Sequence, residues 1–423
     1  MPGTSRKPRQ SSTPAAAPAH LLGPDLASLL REHLGRLHAA YGHGNRVLHM
    51  DQALVAYLLA FFDPTVRSLR SMEVAAGDDV FRAHVGLDRV CRSTLSDALK
   101  LFDPKLLLPL VGRLKELAGS GAVARRDPAL HTLTMKLLAC DGSMFRVAAD
   151  VAHAIKLTKG DGRTLGQVRL NLVLDADGRL PVDASVSGLD DACEPAAFIP
   201  HVVPGALHVA DRNFVDFGWL HAVLAGESPD DGVPPDPGEV VLRCRSNAPG
   251  FVARCESRLS AEDRAHGVVS DRVGHLSGPN APEQWLREVV IVDPKTRQTV
   301  RLLTSLLDAA ALPAHAVGTL YRYRWQVELF FRWLKVHANF EHLISHSPHG
   351  LTFGFHVVLI ASLVTHVRAG RTRLSKYAYQ ALAMMARGTA DVARVLAALE
   401  RRERERLLEE QRLARKRAEK ANA

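Results

Sequence analysis

The hydrophobic period of this 423-residue chain changes twice, and that alternation limits the fold more than any other feature. From Leu21 to about Leu117 apolar residues recur at helical spacing, as in Leu26, Leu29, Leu30, Leu34 and Leu37, and again in Leu54, Tyr57, Leu58, Phe61 and Phe62. From Leu133 the period shortens. Leu133–Cys140 is an apolar run ending at Asp141, and Val168–Leu174 and Leu180–Val186 alternate about the turn residues Asp175–Gly178, a β-hairpin pattern. Asp191–Phe198 and Phe214–Leu224 read as short helices on either side of a strand, Ala206–Ala210, that ends at Asp211. Gly226–Gly238 is the strongest linker signal, and Glu239–Arg245, Arg287–Asp293 and Gln298–Thr304 are strand-like beyond it. Helical spacing returns from Leu312, through Leu320–Lys335 and Phe355–Val367; the Arg/Glu tail Arg401–Lys420 reads as a solvated helix. Helices flanking a strand-rich middle imply an α/β chain with more than one packed unit.

Composition narrows the class only slightly. Hydrophobic residues at 47% and charged residues at 23% exclude a mostly disordered or collagen-like chain. The net charge of +9 and pI near 9.5 make nucleic acid a candidate partner without deciding it. No uninterrupted apolar run approaches the ~18–20 residues that span a bilayer; the best are Ala53–Phe62 and Val357–Val364. Residues 1–20 lack a signal-peptide core and read as a disordered basic arm holding Arg6, Lys7 and Arg9. The cysteines show no CxxC spacing, so neither a zinc ribbon nor a disulfide framework is indicated, and the expected compartment is the cytoplasm. In Asp88–Leu99, Ser93 as an N-cap with Arg89, Arg92 and Lys100 nearby fits a helix-turn-helix reading element. An ordinary capped surface helix fits that stretch equally well.

Asp141 and Asp211 stand at the ends of apolar strands, where a sheet edge can present a carboxylate rigidly. Either alone says little; together they invite a third acid. On a continuous helix from Leu320 to Lys335, Tyr321, Arg324, Trp325, Glu328, Arg332 and Lys335 share one face about 100° wide, spanning ~21 Å. Val327, Phe330, Phe331, Trp333 and Leu334 remain to anchor the helix. One acid among three cations reads either as salt-bridged surface or as a carboxylate flanked by groups that grip a phosphate chain.

The spacing Tyr321-x2-Arg324-x3-Glu328-x6-Lys335 resembles the Tyr-Arg-Glu-Lys signature of DDE transposases of bacterial insertion sequences, of the insertion-sequence-4 type. Asp141 in CDGSMF and Asp211 in VADRNF resemble that family's two aspartates, and Val300–Leu306 the strand before the signature helix. The resemblance runs from about Asp88 to about Val367. It implies an α/β fold: a ribonuclease-H-like catalytic core (129–228 and 300–370) interrupted by a β-rich insertion (229–299). A helical DNA-binding region (21–128) precedes the core, and a helical charged C-terminal region (371–423) follows. It implies two Mg²⁺ per site, with Mn²⁺ able to substitute, Asp141 shared between them and Asp211 and Glu328 completing one each. Tyr321, Arg324 and Lys335 would grip phosphates near the cleaved end. Arg332 and Trp325 lie on the same face, and Arg212 contacts phosphate or pairs with a carboxylate. Some relatives hold a flipped base on a tryptophan of the insertion, where Trp285 stands here; a packing role fits Trp285 better. The implied activity is cleavage of insertion-sequence ends and joining of 3′ ends to target DNA, by a homodimer on double-stranded DNA at the bacterial nucleoid. A non-transposing nuclease of the same fold, or a DNA-binding protein derived from a transposase, are the alternatives.

Overall fold

The structure is a computed structural model. It describes residues 14–40, 46–63, 65–66, 68–87, 89–119, 130–147, 154–158, 164–188, 193–226, 236–245, 249–293, 296–338, 345, 347–369, 374, 376–386, 396–401, 404–405, 408–409 and 411–412. The expected N-terminal arm therefore lies outside the described residues up to position 13, as does the tail beyond 412. The chain divides into two compact units, a helical one (1–118 with 333–423) and a sheet-based one (119–332).

The helical unit begins with α1 (Ala19–Leu22), α2 (Pro24–Ala40), α3 (Met50–Phe62), α4 (Leu69–Ala75), α5 (Asp79–Val85), α6 (Arg92–Leu101) and α7 (Leu108–Gly119). Every residue of α3 is buried, including Asp51. That carboxylate is satisfied by the Ala15 amide (2.8 Å) and His38 Nδ1 (3.0 Å), so its burial ties the segment before α1 and the end of α2 to α3. Helix α6 starts at Arg92 behind Cys91, whose extended backbone makes it the N-cap; Ser93 is inside the first turn and is not the cap. Seating Leu95, Ala98 and Leu99 in the core outweighs the capping preference of serine.

The sheet unit holds ten strands: β1 (Leu137–Val147), β2 (Ile155–Thr158), β3 (Thr164–Asp175), β4 (Leu180–Ser187), β5 (Leu207–Ala210), β6 (Glu239–Cys244), β7 (Gly250–Glu256), β8 (Val268–Ser277), β9 (Leu286–Val292) and β10 (Thr299–Thr304). The order is β2-β3-β1-β5-β6-β10-β9-β8-β7, with β4 also on β3. Pairings β1–β5 and β5–β6 are parallel and the rest antiparallel. Helices α8 (Glu194–Ala197) and α9 (Phe217–Ala225) accompany one core, where Trp219, Leu220 and Val223 meet Leu138, Cys140, Val240 and Leu242. Helix α10 (Ala261–Ala265) precedes β8, and α11 (Ala314–Arg322) and α12 (Trp325–Arg332) follow β10. Strands β7 and β8 escape the periodicity reading because β7 is an exposed edge and β8 buries Asp271.

Buried ion pairs lock the distal strands. Arg287 on β9 grips Asp271 on β8 through two 2.8 Å bonds and donates to the Leu312 carbonyl at 2.7 Å. Glu288 accepts from Arg272 and from Arg301 (2.5 Å) on the neighbouring strands. Asp263 accepts from the His315 amide at 3.0 Å, which holds the start of α11. Burial opposes its charge, but hydrogen bonds from Ser260 and His315 keep this carboxyl well below the usual range.

The chain returns to the helical unit in a π-helical turn, Trp333–His337, then α13 (Pro348–Ala369) and α14 (Lys376–Ala386). At 22 residues α13 exceeds the sequence expectation and is long and apolar enough to cross a membrane, with mean hydropathy 1.7. Its apolar window is 83% buried inside the protein, as in a bundle's core helix. The hydroxyls within and just after the run are absorbed by the helix itself: Ser362 and Thr365 donate to the Leu359 and Ala361 carbonyls at 2.7 Å.

Arg287→Met leaves Asp271 charged and buried, and should lower stability by about 3–5 kcal/mol in urea denaturation. Adding Asp271→Leu should restore most of that loss. Equal stability of Arg287→Met and the unmodified protein would refute the assignment.

Candidate active site

The site begins with a mismatch in pairing length. Strand β1 pairs with β3 along Leu138–Val147 but with β5 only through Leu137–Ala139. Asp141 therefore does not end its strand, as the apolar run suggested; it sits inside β1, opposite Leu172, where the parallel neighbour has stopped. Strand β5 ends at Ala210, and Asp211 turns the chain into a 3-10 turn (Arg212–Phe214) by accepting the Asn213 amide at 2.8 Å. Both aspartates thus lie at the carboxyl end of the parallel pair, the ligand-binding end of such sheets.

Glu328 reaches the same place from α12, which packs on β1 and β3. The helix is not continuous from Leu320. Tyr323 and Arg324 amides donate to Leu320 and Tyr321 carbonyls (3.0 and 3.1 Å), tightening the chain into a turn between α11 and α12. That turn brings Arg324 between two acids: Nη2 is 2.5 Å from Glu328 Oε1 and Nη1 3.6 Å from Asp141 Oδ2. Its guanidinium lies 5.6 and 6.0 Å from the Tyr321 and Trp325 ring centroids. Arg324 Nε is buried without a hydrogen-bond partner.

Electrostatics follow from this crowding. Burial pushes the Asp141 carboxyl up to about 7; Arg324 opposes the rise, and Asp211 and Glu194 add to it. Burial would lower the Arg324 value, but Tyr321, Glu328 and Asp141 outweigh it and keep the guanidinium charged. Burial also raises the Tyr321 hydroxyl, against the pull of Arg324.

Of the expected residues, Asp141, Asp211, Glu328, Tyr321 and Arg324 are brought together in the sheet unit. Trp325, 54% exposed, follows Arg324 directly, while Arg212 and Arg332 are exposed. Lys335 lies half-buried in the π-helical turn of the helical unit. Three further charged groups escape the sequence reading. Glu194 at the start of α8 faces Asp141, Asp211 and Arg169, and Arg243 on β6 faces Tyr321. The available signal for Glu194 is Gly142 directly after Asp141, since a glycine inside a strand marks a close approach by another group.

The donor set suits a hard divalent cation: carboxylate oxygens only, partly solvated, with Arg324 as their neutralising charge. Among the described residues, the group of three whose ligand atoms all lie within 4.8 Å of one another is His38, His49 and Asp51 in the helical unit, and Asp141, Asp211 and Glu328 are spread more widely than that. Asp51 is already bonded to His38 and Ala15.

Asp141 and Asp211, at the carboxyl end of the parallel strands, together with Glu328 on α12 and Arg324 beside them, form a carboxylate-rich cluster on a mixed sheet. The chain belongs to the family of transposase DDE domains, whose family profile matches residues 133–364. Members of this domain family generally use divalent metal ions. A Sinorhizobium fredii protein carrying the transposase name y4zB is 24% identical over 224 residues, covering 51% of this chain and 57% of the relative. The transposase for insertion sequence element IS5377 of Geobacillus stearothermophilus is 28% identical over 99 residues, 23% of this chain and 25% of its own. A piggyBac transposase synaptic complex with hairpin DNA aligns over 92% of this chain and 80% of its own, at 13% identity and TM-score 0.38.

An aspartate raised in the folded state binds more protons folded than unfolded. The metal-free protein should therefore lose stability as pH rises from ~3.9 towards about 7. Asp141→Asn should flatten that slope in EDTA-treated protein, read by urea midpoints across the window; an unchanged slope refutes the assignment.

Proposed function

We propose that the chain is a transposase of the insertion-sequence-4 type. It binds the ends of an insertion sequence, cleaves them by metal-dependent phosphodiester hydrolysis and joins the 3′ ends to target DNA. The observation that carries this reading is the meeting of Asp141 and Glu328 on Arg324, with Asp211 beside Asp141 at the end of the parallel strands. The order β4-β3-β1-β5-β6, antiparallel on the β1 to β4 side and parallel on the other, supports a ribonuclease-H-like core. Strand β6 of that order falls inside the segment 229–299 expected as the insertion, so the core takes β6 from it and the insertion keeps β7 to β9.

Asp141, Asp211 and Glu328 would hold two Mg²⁺, or Mn²⁺ in their place, with Asp141 shared. When bound, the metal supplies activation of the attacking water or 3′-hydroxyl and stabilisation of the leaving oxygen. The chain's own groups do the rest. Arg324 sits on the carboxylates before DNA arrives, and its unpartnered Nε is the donor that a phosphate oxygen would take up. Tyr321 orients that guanidinium, and Trp325 offers an exposed face for base stacking. Arg212, Arg332 and Lys335 supply further phosphate contacts. The helical region 21–128 would bind the terminal repeats, and the active form would be a homodimer bridging two ends in the bacterial cytoplasm.

Strand-transfer assays on DNA carrying the element's inverted repeats, with Mg²⁺, test this. Asp141→Ala, Asp211→Ala and Glu328→Ala should each cut end cleavage by about 10³-fold or more. Gel-shift affinity should be retained. Nicked but unjoined products would favour a nuclease, and binding without cleavage a DNA-binding derivative. Normal cleavage by any of the three variants refutes the metal assignment.

A further inference from the structure

We propose that His38, His49 and Asp51 form a second metal site, within the helical unit, that takes a borderline divalent cation such as Zn²⁺. His38 comes from the last turn of α2, His49 is the residue that caps α3, and Asp51 lies in the first turn of α3. One ligand atom from each lies within 4.8 Å of the other two. A tetrahedral ion with bonds of about 2.0–2.1 Å sets its ligand atoms roughly 3.3 Å apart, so small side-chain rotations close the remaining distance. His38 Nδ1 stands 3.0 Å from both oxygens of Asp51, a symmetric approach in which one N–H aims between two acceptors rather than at either.

The observation that points to a ligand is His49. It is 5% exposed, makes no capping hydrogen bond with its side chain, and leaves Nδ1 buried without a partner. A hydrogen bond to the His38 backbone engages the same ring, and by elimination it uses Nε2. That bond fixes the tautomer of the ring and leaves the Nδ1 lone pair to a metal. Burial, and then the neighbouring His38, hold the His49 imidazole below its usual range and so favour the neutral, ligating form. The two rings stack with centroids 4.2 Å apart. Arg46 and the positive end of α3 oppose a cation here, and the fully buried Asp51 carboxylate offsets both. The Ala15 amide steadies that carboxylate at 2.8 Å, as outer hydrogen bonds do for ligating acids. Two imidazoles with one carboxylate select Zn²⁺ over Mg²⁺, and the partly exposed His38 leaves a fourth position to water. Binding exchanges the proton that His38 shares with Asp51 for the cation and releases it to solvent. A hydrogen-bonded hub without metal predicts something different: the three residues stabilise the fold equally with and without Zn²⁺.

The test is Co²⁺ titration of the EDTA-treated, dialysed full chain, followed by visible absorption and then by Zn²⁺ competition. Tetrahedral Co²⁺ on imidazole absorbs intensely, whereas six-coordinate Co²⁺ on carboxylates and water absorbs weakly, so the readout separates this site from the acids of the sheet unit. One equivalent of Co²⁺ should produce the intense band, Zn²⁺ should abolish it, and Zn²⁺ should raise the urea midpoint of the protein. His38→Gln and His49→Gln should each weaken Co²⁺ binding at least 10–100-fold and remove the Zn²⁺-dependent rise, while Asp141→Asn leaves both intact. Circular dichroism identifies the glutamine variants that are folded; His38, partly exposed, is the more tolerant position. Absence of the band in the unmodified protein overturns the proposal. So does unmodified affinity in folded His38→Gln, or loss of the band in Asp141→Asn.

Discussion

The early end of the β1–β5 ladder is the constraint on which the site depends. Only Leu137, Leu138 and Ala139 have parallel partners on β5, while β1 runs on beside β3 to Val147. Past Ala139 the strand is paired on one edge only, and Asp141 is held by a rigid backbone with Arg324 and Asp211 beside it. Because β5 stops at Ala210, Asp211 can turn away and cap its own 3-10 turn while staying beside Asp141. The distal strands serve the third acid. Arg287 holds the Leu312 carbonyl and Asp263 the His315 amide, so the buried network of β8 and β9 fixes the start of α11, and through it the turn that orients Arg324 and α12.

Charge balance explains why these acids tolerate each other. Crowding buried carboxylates disfavours their ionised forms, and Asp141 shows it. One guanidinium between Asp141 and Glu328 leaves part of that negative charge unpaired, and a divalent cation would relieve it.

Much of this was legible in the sequence, and the failures have physical causes. The hairpin of β3 and β4 and the strand before Asp211 follow from alternation and turn residues. So do the α9, β6, β9 and β10 segments, within a few residues. Asp141 looked terminal because apolarity ends there, but ladder pairing, not hydrophobicity, decides where a strand stops. Strands β7 and β8 were hidden by an exposed edge and a buried ion pair, both of which break alternation. Glu194 was invisible because its relation to Asp141 is spatial, some fifty positions along the chain, with only Gly142 as a local trace.

The Tyr-Arg-Glu-Lys spacing is where sequence and structure differ most instructively. Counting one face of an unbroken helix placed all four residues on a single stripe, yet the chain has a tight turn at Tyr323–Arg324 and a π-helical turn from Trp333. A 3-10 step advances the phase by about 120° per residue and a π step by less than the α value of about 100°. Regular spacing places the Arg324–Glu328 pair, and the irregular turns place the residues on either side of it. Arg324 meets Glu328 at the helical i,i+4 spacing, and the turn in which it stands brings its other terminal nitrogen to 3.6 Å from Asp141. Lys335, beyond Arg332, belongs to the helical unit, while Tyr321, Arg324 and Glu328 belong to the sheet unit. Selection on such a spacing acts on where the chain breaks its helix as much as on which residues it carries.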